Sequence, residues 1–340
     1  MIEILTCNGP ATVQDLGRPG YRHLGVPLSG ALDPNLLRLA NALANNPPDA
    51  AAIELRLVGP QLRTDTPILV ALAGGMSGRI ESEDGQVRPA AAWSSHQLQK
   101  GDTLSLGAIG GGVAYLAVSG GIEVPRVLGS RATYARARMG GLEGRQLGNG
   151  DRLIVGADNT ARRELRLPTA LYPPPLDDSP LRVLPGPQQD CFTAEAWSIF
   201  LGEEFTVSRE ADRMGLRLNG PRLEHLSSKG ADIVSDAVTP GAIQIPADGR
   251  PIILLADCQT VGGYPKIATV ISADLPRLAH ALPGSHLRFN AVTLAEAQTA
   301  RIAAASMLEA MIQSLVPASV ELDLTALYQA NLIDGVIHEN

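Results

Sequence analysis

A mainly β chain (α+β), built as β-barrels or sandwiches with a few helices, is predicted by three features of the sequence. Apolar runs of strand length recur throughout: IEIL (2–5), ILVALAG (68–74), DTLSLG (102–107), AYLAVSG (114–120), DRLIVG (151–156), LRVLPG (181–186), EFTVS (204–208), IVSD (233–236), AIQIP (242–246), PIILLAD (251–257) and HLRF (286–289). Turn formers separate them, with 35 glycines and 25 prolines against only 4% aromatic residues, so many turns enclose an aliphatic core. Few long helical patterns lie between the runs, which argues against alternating βαβ units.

Taken in order, the first helical signal is Asp33 followed by PNLLRLANALANN. An Asp cap precedes proline at the first helical position, and leucine and alanine follow at i, i+3, i+4 spacing as far as Asn45 and Asn46. GAIGGG (107–112) sits between two strand-like runs and is read as a hairpin turn. GDTLSLG (101–107) and GDRLIVG (150–156) echo one another, as two strands entered through the same Gly-Asp turn. The proline-rich LYPPPLDDSP (171–180) is the linker candidate, since consecutive prolines cannot join a ladder. Thr293 to Glu296 is a capping box that opens a helix to about Leu315; its Ile302, Met307, Met311 and Leu315 stripe fits core packing or a partner surface. Hence the domain expectation: residues 1–175, residues 176–290, and a C-terminal helix and tail, 291–340.

A length of 340 residues matches about two domains at about 150 residues each. The formal net charge of -7, from 28 basic and 35 acidic residues, offers no basic footprint for nucleic acid. Cys7, Cys191 and Cys258 are too sparse for a zinc site or a disulfide framework and fit a reducing cytoplasm. No basic leader precedes an apolar stretch, and PILVALAGGM (67–76) is about half a membrane span, so no membrane and no metal are expected. Neither a P-loop, a GxSxG elbow nor HExxH occurs.

Three polar, glycine-rich segments remain as site candidates. Residues 12–33 carry Asp15, Arg18, His23 and Ser29, a set that offers base, anion clamp and proton shuttle, or else a solvated loop pinned by Asp–Arg pairs. Residues 209–215 carry Asp212 and Arg213 in a charge cluster after a strand. Residues 255–266 leave the strand PIILLAD with Asp257, Gln259, Thr260, Gly262, Gly263, Tyr264 and Lys266, where the N–H groups of TVGG fit an anion-binding nest or a plain turn. Asp15, Asp212 and Asp257 are the catalytic candidates; the other residues named here, with Gln244, are candidates to bind substrate or phosphate. The three segments are expected to meet in one cleft.

VQDLGRPGYRHLGVPLSGALD (13–33), ANALANNP (40–47), YLAVSGGIEVPRVLGSR (115–131), DRMGLRLNGP (212–221) and DCQTVGGYPKIATVISADL (257–275) together resemble the biotin-dependent carboxyltransferase, or allophanate hydrolase subunit 2, family. The resemblance covers about residues 1–290 and implies two cyclophilin-like β-barrel domains. It implies partners as well: a homologue of the family's B subunit and, for ATP-dependent 5-oxoprolinase, an A subunit. That activity cleaves 5-oxo-L-proline to L-glutamate with ATP and Mg2+ in the complex. The alternatives are a carboxyltransferase component acting on urea, allophanate or another amide with carboxybiotin, and a regulatory binding subunit without catalysis of its own. The chain shows no biotin-acceptor motif and no ATP-grasp portion, which favours the oxoprolinase reading.

Overall fold

The structure, a computed structural model, describes residues 1–157, 163–173 and 176–318. It is mainly β. Two seven-stranded sheets make up the first half. One runs, in spatial order, Ile122–Glu123, Arg152–Val155, Ile2–Thr6, Gln61–Thr64, Thr103–Leu106, Gly78–Glu81 and Val87–Ala90. The other runs Ala11–Gln14, Ala52–Leu55, Gly110–Val118, Ile68–Gly75, Ser94–Leu98, Leu165–Arg166 and Val316–Pro317. Alternation decides the packing. Ile2, Leu62 and Leu104 of one sheet meet Val13, Ile53, Val70 and Leu116 of the other in a closed aliphatic core. The opposite face of the second sheet, with Ala52, Ala71, Tyr115 and Ala117, turns towards helix α1 (Pro34–Leu43) and the second half.

Helix α1 starts where the sequence places it. The Asp33 carboxylate accepts the N–H groups of Asn35 (3.0 Å) and Leu36 (2.9 Å), and Pro34 fills the first position. Leu36, Leu37, Ala40 and Leu43 then face inward. The paired Gly-Asp turns also behave alike: Asp102 accepts the Gln99 N–H (2.9 Å), and Asp151 accepts the Gly148 N–H (2.7 Å).

The second half is an eight-stranded sheet running His286–Leu287, Phe205–Val207, Gly215–Asn219, Ile252–Leu254, Ala242–Gln244, Lys266–Val270, Leu181–Pro185 and Phe289–Ala291. Its two outer strands are separated in sequence by Arg288 alone, so the sheet curls nearly into a closed barrel. Every pairing in it is antiparallel except Leu181–Val183 against Phe289–Ala291. Helix α2 (Ala194–Gly202) supplies Phe200, which stacks on Phe289 at 4.5 Å and, with Phe205, anchors this core. After the short helix α3 (Leu275–Leu278), helix α4 (Leu294–Gln313) opens with the expected capping box. The chain then returns to the first half, where Val316–Pro317 pairs with Leu165–Arg166.

Several expectations need correction. GAIGGG is no hairpin: the strands on its two sides belong to different sheets, so it turns a corner between layers. IVSD contributes only Asp236, in a two-residue ribbon of Asp236–Ala237 with Val261–Gly262. The α4 stripe is half used, because Met311 is buried against Leu39 and Leu167 while Ile302 and Met307 are more than 60% exposed. Of the linker candidate, Tyr172 packs on Trp93 at 5.3 Å and Asp177 pairs with Arg277 at 2.6 Å; residues 174–175 lie outside the described residues, as does the tail from 319. No helix among the described residues is long and apolar enough to cross a membrane.

Candidate functional site

A cleft of about 560 Å³ opens where the two halves meet. Its walls come from the edge of the second sheet (Thr12, Glu54, Arg56), the turn Tyr134–Arg136 with Gln146, and the segments carrying Asp212, Arg213, Met214 and Asp257. Arg213 and Asp257 form its charged centre. Arg213 donates from Nε to Asp257 Oδ2 (2.8 Å) and from Nη2 to Asp257 Oδ1 (3.1 Å), a bidentate pair. Its Nη1 reaches across to Glu54 of the first half, and Nη2 also reaches the Gly30 carbonyl at 2.5 Å. Burial disfavours the guanidinium charge, yet Glu54 and Asp257 more than offset it and raise its pKa.

The pair is placed by its backbone. Asp257 follows the buried strand Ile252–Leu254, and its N–H donates to the Arg213 carbonyl at 3.0 Å. Asp212 turns the preceding loop by accepting the N–H groups of Met214 (2.8 Å) and Gly215 (3.1 Å), which leaves it at the rim. Burial, and then the negative charge of Asp257, raise the pKa of Tyr134.

The residues of the 12–33 loop meet the second half, and of them only Thr12 lines the cleft. Asp15 is fully engaged: it accepts from the Gly17 N–H (2.8 Å), Ser130 Oγ (2.6 Å) and the Arg131 N–H (2.6 Å), so it folds the loop. Arg18 is wholly buried, donating to the Ala132 carbonyl at 2.5 Å with Nε and Nη1 unpartnered. Burial lowers its pKa, against the pull of Asp15 and Asp257. Ser29 sits in the left-handed region at φ 52°, its N–H on the Ala256 carbonyl at 2.9 Å. His23 stands exposed on a single turn, Arg22–Leu24, while Arg22 spans to the Val238 carbonyl.

The 259–266 loop is also engaged differently from expectation. No N–H nest forms: Val261–Gly262 is extended and paired with Asp236–Ala237, and neither Gly262 nor Gly263 has positive φ. Gly262 lies against Gln244, whose amide Nε2 would be 2.5 Å from a Cβ at that position and would have to shift to admit one. Lys266 is buried and tied to Asp236 at 2.7 Å, which holds that carboxyl down to about 2 and leaves no free ammonium for phosphate. Gln259 approaches Gln244 at 3.5 Å, Thr260 accepts the Val238 N–H through its carbonyl, and Tyr264 is 40% exposed. Of the candidates, then, Asp212, Arg213 and Asp257 converge.

Glu54, Arg56, Arg136 and Gln146 carried no sequence signal, because a single polar residue in or after a strand is ordinary. Neither Arg56 nor Arg136 has an ion-pair partner among the described residues, and Arg136 Nη1 contacts the Met214 thioether at 2.8 Å. A larger cavity of about 720 Å³ lies under α4, lined by Trp93, Tyr172, Met307 and Met311. Its ionisable groups pair with one another, His280 Nε2 with Asp33 Oδ2 at 3.0 Å and Arg277 with Asp177. No cluster of three His, Cys, Asp or Glu among the described residues could hold a metal ion.

Residues 24–291 match the family described as carboxyltransferase domain, subdomain A and B. The chain is 37% identical over 302 residues to the C subunit of 5-oxoprolinase from Haemophilus influenzae, covering 88% of this chain and 94% of that one. It is 36% identical over 305 residues to the C subunit of 5-oxoprolinase from Escherichia coli, with the same two coverages. Among solved structures, it superposes on Kluyveromyces lactis urea amidolyase with a TM-score of 0.83 at 29% identity, covering 91% of this chain and 20% of that far longer one.

Proposed function

The chain belongs to the carboxyltransferase-domain family of subdomains A and B, and from that premise we propose that it is the C-type subunit of a cytoplasmic ATP-dependent 5-oxoprolinase, opening 5-oxo-L-proline to L-glutamate together with homologues of the A and B subunits. The observation that carries this reading is the near end-to-end likeness to two C subunits of that enzyme.

A five-membered lactam resists direct attack by water, so its amide oxygen must first take a phosphoryl group, with ADP leaving, which makes the ring carbon electrophilic enough for water to attack. ATP, with Mg2+, supplies the activating phosphoryl group in the loaded complex. Arg56 and Arg136, the cleft guanidinium groups without carboxylate partners among the described residues, fit the oxygens of such a group. No group of three or more His, Cys, Asp or Glu side chains gathers among the described residues to hold the ion. Asp257 is the working carboxylate: bidentate Arg213 occupies one lone pair on each oxygen, and the remaining pairs are free to orient or deprotonate the attacking water. Tyr134, which lines the same cleft, is the phenol we assign as donor to the oxygen where charge develops.

The test is 5-oxoproline-dependent phosphate release by the reconstituted complex, with urea and a biotin carrier as the comparison. Asp257→Asn is expected to lower turnover about 100-fold or more while circular dichroism stays unchanged. Release that needed urea and carboxybiotin would replace this reading with the carboxyltransferase one, which the likeness to urea amidolyase supports.

A further inference from the structure

We propose that Glu54 and Tyr115 of the first half are positioning residues that fix Arg213, and through it Asp257, in the geometry the cleft uses. This rests on Asp257 being the working carboxylate of the proposed function.

Glu54 and Tyr115 face each other across neighbouring strands, at Cα partners in the register of Ala52–Leu55 with Gly110–Val118. Tyr115 is wholly buried and Glu54 is 2% exposed. The Tyr115 hydroxyl accepts the Asp33 N–H at 3.1 Å and donates to Glu54 Oε2 at 2.6 Å. The same oxygen accepts the Leu32 N–H at 2.8 Å, leaving Oε1 for Arg213. Glu54 is therefore held in one orientation by two donors other than Arg213, the Tyr115 hydroxyl and the Leu32 N–H. It grips one edge of the guanidinium while the Gly30 carbonyl grips another, and the remaining Nε edge faces Asp257.

Because the guanidinium is planar, fixing two of its edges fixes the third. The first half thus sets the plane in which the second half's carboxylate is held. Arg18, Tyr134 and Cys258 also bear electrostatically on Asp257, but none of them bonds to Arg213.

The test uses the chain labelled with 15N at arginine and follows hydrogen exchange at the Arg213 Nε–H. Arg182, whose Nε–H donates to Asp274 at 3.1 Å far from the cleft, serves as the internal reference. Glu54→Gln is expected to speed Arg213 exchange about tenfold, the size of one lost charge-assisted hydrogen bond, and Tyr115→Phe to speed it less, with Arg182 unchanged. Wild-type exchange in both variants overturns the proposal. Equal acceleration at Arg182 overturns it too, since that marks general loosening. In the reconstituted complex, Glu54→Gln should lower kcat about tenfold with KM within about twofold; faster exchange with unchanged kcat also refutes the positioning role. A wild-type complex inert towards 5-oxoproline sinks the preceding reading instead, and the exchange measurement still decides this one.

Discussion

Replacing Arg213 by methionine keeps the length and apolar stem of the side chain but withdraws the cation shared by Glu54 and Asp257. Both carboxylates are at most 6% exposed. Asp257 loses both of the hydrogen bonds its carboxylate accepts from Arg213, whereas Glu54 keeps the Tyr115 hydroxyl and the Leu32 N–H. Breaking a buried ion pair by removing one partner costs about 3–5 kcal/mol. Two orphaned acceptors push towards the top of that range, and the surviving donors to Glu54 pull it back, so about 4 kcal/mol is expected. With an m-value near 3 kcal/mol/M, the urea midpoint should fall by about 1.3 M. Tryptophan fluorescence suits the assay, because Trp93 lies in the first half against Tyr172 and Trp197 lies in the second against Phe200. Coincidence of fluorescence with circular dichroism checks that one transition is being read. The asymmetry is the sharper part: adding Glu54→Gln and Asp257→Asn to Arg213→Met removes the stranded charges and should restore at least about half of the loss. A midpoint within about 0.3 M of wild type for the single variant, or a triple variant no more stable than the single, would refute the reasoning.

Three further outcomes are expected. His280 is pressed by burial towards neutrality, but its hydrogen bond to Asp33, their charge attraction and the Gly111 carbonyl together raise its pKa; the stability it adds is complete below its unfolded value of about 6.5 and fades as pH climbs through the raised folded one. The melting difference between wild type and His280→Asn should therefore be widest in mild acid and shrink in alkali, and a gap that grew with pH would show the sign to be wrong. Burial raises the Cys258 thiol pKa despite Arg22, so a disulfide reagent at neutral pH should leave Cys258 unmodified until denaturant is added; rapid native labelling at that position would contradict the packing. Gly30 has φ 82° and a Cβ there would lie 2.5 Å from the Gly17 N, so Gly30→Ala should lower stability by about 2 kcal/mol or more, read by urea titration; a neutral substitution would mean that the 12–33 loop does not fold back on itself at Gly17 and Gly30.

Strand identity was legible because most of the barrel strands are short apolar runs cut off by Gly, Pro and Asp, and both long capped helices announced themselves through Asp33 and the Thr293–Glu296 box. Helix α2 was not, since Trp197, Ile199, Phe200 and Leu201 crowd every side of it and leave no 3.6-residue stripe. In the site, Arg213 and Asp257 stood out as charges beside glycine turns. Glu54 could not: its meaning comes from Arg213, 159 residues away. Lys266 misled for the same reason, because its partner Asp236 lies on a ribbon whose pairing no local pattern encodes.

The return of residues 316–317 to the strand Leu165–Arg166 gives the molecule a particular order of completion. Everything between those strands, including the whole second barrel, must be synthesised before the second sheet gains its last member. At about 5–20 residues per second the ribosome needs on the order of ten seconds to cover that stretch. Throughout that interval the nascent first half carries an unpaired strand edge at Leu165–Arg166, beside Ser94–Leu98, a template for mispairing with another chain. Closing so long a loop adds little entropy cost beyond that of a loop half its length, so the delay is one of timing rather than of equilibrium.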